Sequence, residues 1–206
     1  HLLSIEDKQT RPLETSDLTN SFDPQWSPDG RYLLFTGQTE LREEREISYD
    51  YAIYLFELST STMHRLTPSW PRIDEPKWLP REGYFLSFLQ SPGVFSSVSV
   101  NVFELRQNGD RFLLHPVFVM EDADATGQYV WGSNGEWFIS VIENNREGAS
   151  VEAFFSSLDL AVAPVDFASQ QHPLSPPGRS YAYSFVEEGR LITDNEFYDD
   201  YPDWTP

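Results

Sequence analysis

One pattern recurs along this chain and limits what it can fold into. "DPQWSPDGRYLLFTG" (Asp23–Gly37) is followed by "YAIYLFELSTSTMHRLT" (Tyr51–Thr67). "DEPKWLPREGYFLSFLQ" (Asp74–Gln90) and "SVNVFELRQNGDRFLL" (Ser99–Leu114) repeat both halves. Trp26, Trp78 and Trp131 stand 52 and 53 residues apart, and Phe56-Glu57-Leu58 returns 47 residues later as Phe103-Glu104-Leu105. "YVWGSNGEWFISVIE" (Tyr129–Glu143) opens a third unit, and "AFFSSLDLAVAPVDF" is its weaker second half. "HPLSPPGRSYAYSF" (His172–Phe185) opens a fourth with Leu174 at the Trp position, and "YPDWTP" (Tyr201–Pro206) begins another. A period of this length marks an architecture built from stacked copies of one small motif.

The N-terminus supplies the complementary piece. "LLSIEDKQTRPL" (Leu2–Leu13) aligns without a gap with "LFELSTSTMHRL" (Leu55–Leu66) at a shift of 53. The chain therefore opens on the second half of a unit. Each unit reads as four short strands. "RYLLF" and "YFLSF" are apolar on both faces, as in strands covered on both sides. "SPDG" and "PREG" carry Pro and Gly where a tight turn needs them, and "YAIYLFEL" then "MHRLT" reads as a hairpin. No segment keeps a capped 3.6-residue apolar period, so little helix is expected. The expectation is an all-β fold: a β-propeller, or a propeller fragment, with about four blade-like units of four antiparallel strands. The chain divides as a half-blade at 1–20, blades at about 21–68, 69–118, 119–169 and 170–198, and the start of a further blade at 199–206. The fourth unit has only about 30 residues before the next Trp-like start. Either it is truncated, or the N-terminal strands complete it and close a ring, or the protein continues at both ends.

The string Pro-x-Trp-Ser-Pro-Asp-Gly, then an apolar strand, then "IYLFEL…LT" resembles the TolB-type WD40-like propeller repeat. Asp23–Thr67 matches almost throughout, with Ser61 where a hairpin Gly often sits. The second unit keeps Pro76, Trp78, Pro80 and Gly83 but has Leu79-Pro80-Arg81 for Ser-Pro-Asp, and the later units depart further. The resemblance covers about three quarters of the chain. It implies a non-enzymatic scaffold that binds a protein or peptide partner through loops on one face, in a periplasmic or cell-surface setting. The same repeats also occur beside catalytic domains, which implies an alternative: the substrate-gating propeller of a prolyl-oligopeptidase-like serine peptidase whose catalytic domain lies outside this chain.

Charge and composition narrow the partners. Fourteen Lys+Arg stand against 33 Asp+Glu, a net charge of −19, which disfavours nucleic acid and anionic membranes and favours a basic or neutral partner surface. No stretch reaches the roughly 20 apolar residues of a spanning helix. The absence of Cys removes disulfides, thiolate zinc sites and Cys nucleophiles. A chain starting at His1, without a signal-like apolar run, reads as processed or trimmed. Catalysis has no motif: Gly-x-Ser-x-Gly, the strained elbow that exposes a nucleophilic serine, is missing.

The partner-binding candidates lie in two inserted loops. "TELREEREISYD" (Thr39–Asp50) reads as a short helix or a protruding hairpin and offers Glu40, Arg42, Glu43 and Glu44. "SPGVFSSVS" (Ser91–Ser99) offers Phe95. Trp70 and Trp137 leave the repeat's Trp position and are candidates for surface contact, whereas Trp26, Trp78, Trp131, Tyr32 and Tyr84 are expected to pack between blades. Asp122, Asp124 and Thr126 alternate before Gly127 as in the opening of a calcium loop, although Ser133 stands where such a loop ends in Glu. The plainer expectation there is a solvated loop and no cofactor. "DNEFYDDYPDW" reads as a packed loop, and Asp23, Asp74 and Asp200 as turn residues bonded to backbone. His64 and His115 are expected as exposed polar residues on outer strands.

Overall fold

A computed structural model of the chain describes residues 1–13, 15, 18–43, 46–70, 72–91, 98–124, 129–143, 158–164, 182–184 and 190–191. No helix occurs among them. β1 (Leu2–Leu3) and β2 (Thr10–Arg11) pair as a hairpin. β3 (Asn20–Trp26), β4 (Tyr32–Glu43), β5 (Glu46–Glu57) and β6 (Thr62–Arg65) make an antiparallel meander in sequence order. β7 (Arg72–Trp78), β8 (Phe85–Ser91), β9 (Val98–Asn108) and β10 (Arg111–Asp124) repeat it. β11 (Tyr129–Trp131), β12 (Trp137–Glu143) and β13 (Leu158–Pro164) begin a third sheet. The protein is thus all-β, built from small antiparallel sheets of four strands.

The two described pieces of the expected fourth unit form no sheet of their own. β14 (Ala182–Ser184) adds in parallel to the edge strand β10, and β15 (Arg190–Leu191) supplies the fourth strand beside β13. The rest of 170–206 lies outside the described residues.

Burial on both faces explains the stacking. Along β4 and β5, Tyr32, Leu34, Ile53 and Leu55 point one way and meet Ile73, Leu86, Phe88 and Leu105 of the second sheet. The second sheet's other face gives Leu89, Val98, Val100, Val102, Phe118 and Met120 to Tyr129, Trp131 and Phe138 of the third. The first sheet's remaining face, Leu33, Phe35, Ala52, Tyr54 and Phe56, is met by Leu13 and Leu18 of the N-terminal segment.

The repeat persists in backbone detail. Phe22 pairs Thr36 and Gln25 pairs Leu34, so Asp23 and Pro24 bulge opposite one residue; Glu75 and Pro76 bulge identically between Asp74 and Lys77. Asp23 has φ +53° and Glu75 φ +51°. This makes Glu75, not Asp74, the counterpart of Asp23. Asp74 accepts from Arg72 Nε at 3.2 Å rather than from backbone. The turns close alike, with Ser27 N donating to Tyr32 O, Leu79 N to Phe85 O and Gly132 N to Trp137 O, and Gly30, Gly83 and Gly135 take positive φ. The second turn is one residue longer. Phe85 therefore occupies the place of Tyr32, and Tyr84 that of Arg31: Leu58 N bonds Arg31 O just as Leu105 N bonds Tyr84 O.

Two further expectations need correction. Trp26 is not core; it stays 52% exposed, because across the face it shares with Leu33 the described residues place only the two-stranded β1–β2 hairpin and the N-terminal segment, not a four-stranded sheet. Trp78 is half-buried and Trp131 buried, as expected. His64 is half-buried rather than exposed on a rim, its ring centroid 4.8 Å from that of Phe112 in an edge-on contact and its Nε2 4.0 Å from Glu57 Oε2.

Between the second and third sheets lies a buried polar hub. Trp131 Nε1 donates to Ser87 Oγ at 2.8 Å, Ser87 Oγ lies 2.9 Å from Tyr129 OH, and Tyr129 OH donates to the Glu75 carbonyl at 2.8 Å. Ser87→Ala removes the hydroxyl that accepts from the buried indole N–H, so urea unfolding should show a loss of about 1–3 kcal/mol. An unchanged midpoint would mean that the hub contributes nothing.

Candidate functional site

The direction of the strands sorts the connections onto two ends of the stack. Tyr84 OH, in the β7–β8 turn, donates to Asp29 Oδ2 in the β3–β4 turn at 2.5 Å, and Arg31 reaches Tyr84 OH at 3.4 Å. A methyl group added at Gly135, in the β11–β12 turn, would lie 3.6 Å from Arg81 Cβ. These three short turns therefore share one end. The β4–β5 hairpin and the strand ends flanking 92–97 and 144–157 share the other, as antiparallel order requires.

The hairpin end holds the most distinctive geometry. β4 and β5 stay in register from Tyr32↔Glu57 to Glu43↔Glu46. Their neighbours stop earlier. β3 ends its pairing at Asn20↔Gln38, with Thr19 N donating to Gln38 O, while on the other side the bridge Tyr51↔Trp70 is the last contact. Five residue pairs, Thr39↔Asp50 through Glu43↔Glu46, then have no third strand among the described residues. A two-stranded ribbon is marginal by itself. Its base supplies the support: Phe22 meets Tyr51 edge-on at 6.0 Å, Gln38 Nε2 donates to Tyr51 OH at 3.3 Å, and Trp70 packs half-buried against the core between the first two sheets.

Of the candidates drawn from the sequence, Glu40, Arg42 and Glu43 lie on this ribbon as part of β4, in the protruding-hairpin form. Glu44 and Phe95 lie outside the described residues. Trp70 sits at the ribbon's base, and Trp137 is 41% exposed at the opposite, turn end. Asp122 and Asp124 end strand β10, where Met120 pairs Val100 and Asp124 pairs Val98 around an irregularity; Thr126 lies outside the described residues. Among the described residues no three His, Asp or Glu side chains group as a metal site.

A second group of charges lines the first strands of two adjacent sheets. Burial pushes the Asp74 carboxyl above the ordinary carboxylate range, offset by the Arg72 guanidinium, and the nearby Asp23 charge adds to the rise. Burial likewise raises Glu75, offset by Lys77, whose ammonium lies 3.3 Å from Oε2 and 5.0 Å from the Tyr129 ring centroid. At the turn end Asp29 goes the other way. Desolvation works to raise it but is outweighed by hydrogen bonds from Tyr84 OH and Ser27 Oγ, so it is held low. The Asp29–Tyr84 link was not anticipated, because the two Tyr look equivalent until the extra residue in the second turn is counted.

No protein-family model matches the chain, and no curated protein sequence matches it either.

A carboxyl whose folded pKa is raised binds its proton more tightly when folded, so its contribution to stability falls as pH rises through the raised value. Asp74→Asn combined with Glu75→Gln removes that loss. Relative to the parent, the double variant should gain stability between about pH 3.5 and about pH 7 in urea unfolding. A relative loss over that range would show that Arg72 and Lys77 outweigh burial.

Proposed function

We propose that this chain is a non-enzymatic, TolB-like propeller scaffold that binds a protein partner through the hairpin end of its sheet stack. The observation that carries this reading is the β4–β5 ribbon, which runs five residue pairs past its neighbouring strands. A two-stranded ribbon with no third strand beside it gains less from pairing than a strand inside a sheet. Its value lies in what it offers a second surface. The sequence from Thr39 to Asp50 holds Glu40, Glu43, Glu44, Glu46 and Asp50 against Arg42 and Arg45. Together with the net charge of −19, this favours a basic or neutral partner and salt-sensitive association. Such a scaffold needs no metal or cofactor. The sequence resemblance supports an extracytoplasmic setting, periplasm or cell surface.

Charge reversal tests the proposal. Glu40, Glu43 and Glu44 are replaced together by Lys, and parent and variant are immobilised and exposed to the extracytoplasmic fraction of the source cells. The variant should bind the specifically retained protein about ten-fold more weakly, and the parent's binding should weaken with added salt. Thermal unfolding should be unchanged, since the ribbon lies outside the sheet core. Equal retention by both proteins at every salt concentration overturns the proposal.

A further inference from the structure

Asparagine followed by glycine is a chemically labile step, because the glycine nitrogen can attack the asparagine side chain with no Cβ in the way. The chain holds two such steps, Asn108-Gly109 and Asn134-Gly135, and one of the related Asp-Gly kind, Asp29-Gly30. All three lie in tight turns between antiparallel strands. The dipeptides alone rank the two Asn-Gly steps as equals. The fold separates them.

Asp29-Gly30 and Asn134-Gly135 occupy the same place in the repeat turn and are held in the same way. Gly30 N donates to Ser27 O and Gly135 N to Gly132 O, each at 2.9 Å. The side chains are tied as well, each accepting from the backbone two residues on. Arg31 N donates to Asp29 Oδ1 at 3.2 Å, and Glu136 N to Asn134 Oδ1 at 3.0 Å. Asn134 Nδ2 also donates to Glu136 Oε2 at 2.5 Å, and Arg81 packs where Gly135 would carry a side chain. Asp29 accepts two more bonds, from Ser27 Oγ and Tyr84 OH. In both turns the attacking nitrogen and the group it would attack are fixed by separate bonds.

Asn108-Gly109 has none of these restraints. Asn108↔Arg111 closes the β9–β10 ladder, so Gly109 and Asp110 form a two-residue turn with Gly109, at φ +61°, in its first place. Among the described residues Gly109 N has no acceptor and the Asn108 carboxamide no partner, while Gln107 Nε2 donates to Gly109 O at 3.2 Å and leaves the nitrogen free. Both residues are exposed, and a Cβ placed on Gly109 would meet nothing within 4 Å. We infer that Asn108 is a site of spontaneous deamidation in the folded protein, and that the repeat turn protects Asn134 from the same reaction. Gly109 N bonds to Asn108 Cγ, and the side-chain nitrogen leaves as ammonia, taking the proton from Gly109 N. Water then opens the resulting succinimide at one of its two carbonyls, which gives aspartate, or isoaspartate with one extra backbone carbon. Either product places a new carboxylate at the position paired with Arg111 and adds one negative charge to the net −19. The isoaspartate form also lengthens the chain at the closing pair of the ladder.

Peptide mapping of the folded protein during incubation in mildly alkaline buffer tests the inference, with the asparagine, aspartate and isoaspartate forms resolved by chromatography. Asn108 should convert at least about ten-fold faster than Asn134, because freeing Gly135 N and the Asn134 carboxamide requires local opening of their turn. In concentrated urea, where both turns are lost, the two rates should converge to within about two-fold. Comparable rates in the folded protein overturn the inference, as does a slowing of Asn108 on folding as large as that of Asn134. A gap that persists unchanged in urea overturns it too, since flanking sequence rather than the turns would then set the rates.

Discussion

The first two four-stranded sheets are apolar on both sides. Tyr32, Leu33, Leu34 and Phe35 are all buried, and so is each residue from Ala52 to Phe56. A strand with that composition cannot leave one face to solvent, so a four-stranded meander made from it has no stable existence by itself. It must be covered twice. The rest of the architecture follows from this requirement: the face-to-face order of the three sheets, the N-terminal segment laid over Phe35 and Tyr54, and the recurrence of the same bulge and turn in successive units. The requirement is met completely in the second sheet, which has a neighbour on each side.

Much of this was legible because stacking repeats write themselves into sequence at a fixed period. The strand order within a unit, the Gly turns and the all-β class follow from residues such as Gly30, Gly83 and Gly135 and from the double-sided apolar runs. The failures share a physical cause: spacing records position along the chain, whereas burial depends on what lies across a face. Trp26 and Trp131 occupy the same place in the repeat, yet one is half-exposed and the other buried, because among the described residues only Trp131 has a four-stranded sheet opposite. His64 was misjudged for the same reason, since Phe112 approaches it from the next sheet. At Tyr84 a single extra residue moved the side chain to the position of Arg31, and simple counting of Tyr32 to Tyr84 conceals it.

The extent of the inserted segment was legible in the sequence, but its kind was not. The charged run from Thr39 to Asp50 identifies an insertion, and its alternation suits either a helix or a hairpin. What decides for a hairpin is its continuity with β4 and β5, where Leu33, Phe35, Tyr54 and Phe56 already hold the backbones in register. The Asp74 and Glu75 carboxyls show the opposite limitation. Their sequence context is that of ordinary surface acids, and only the neighbouring first strand, with Asp23, and the packing above them account for their raised affinity for protons.

The two inter-sheet contacts are chemically different. At the position where the second sheet carries Ser87 the first carries Leu34, and where the third carries Tyr129 the second carries Pro76. The hydroxyls thus occur as a matched pair across one junction, and apolar groups as a matched pair across the other. With no side-chain acceptor in reach, Trp78 takes a backbone carbonyl, while Trp131 takes the serine. Units that share one repeat pattern therefore carry distinct addresses. Exchanging two of them would set Leu34 against Tyr129 or Ser87 against Pro76 and strand a hydroxyl in a dry interior. The linear order of the sheets is in this way encoded at their junctions, independently of the loops that join them.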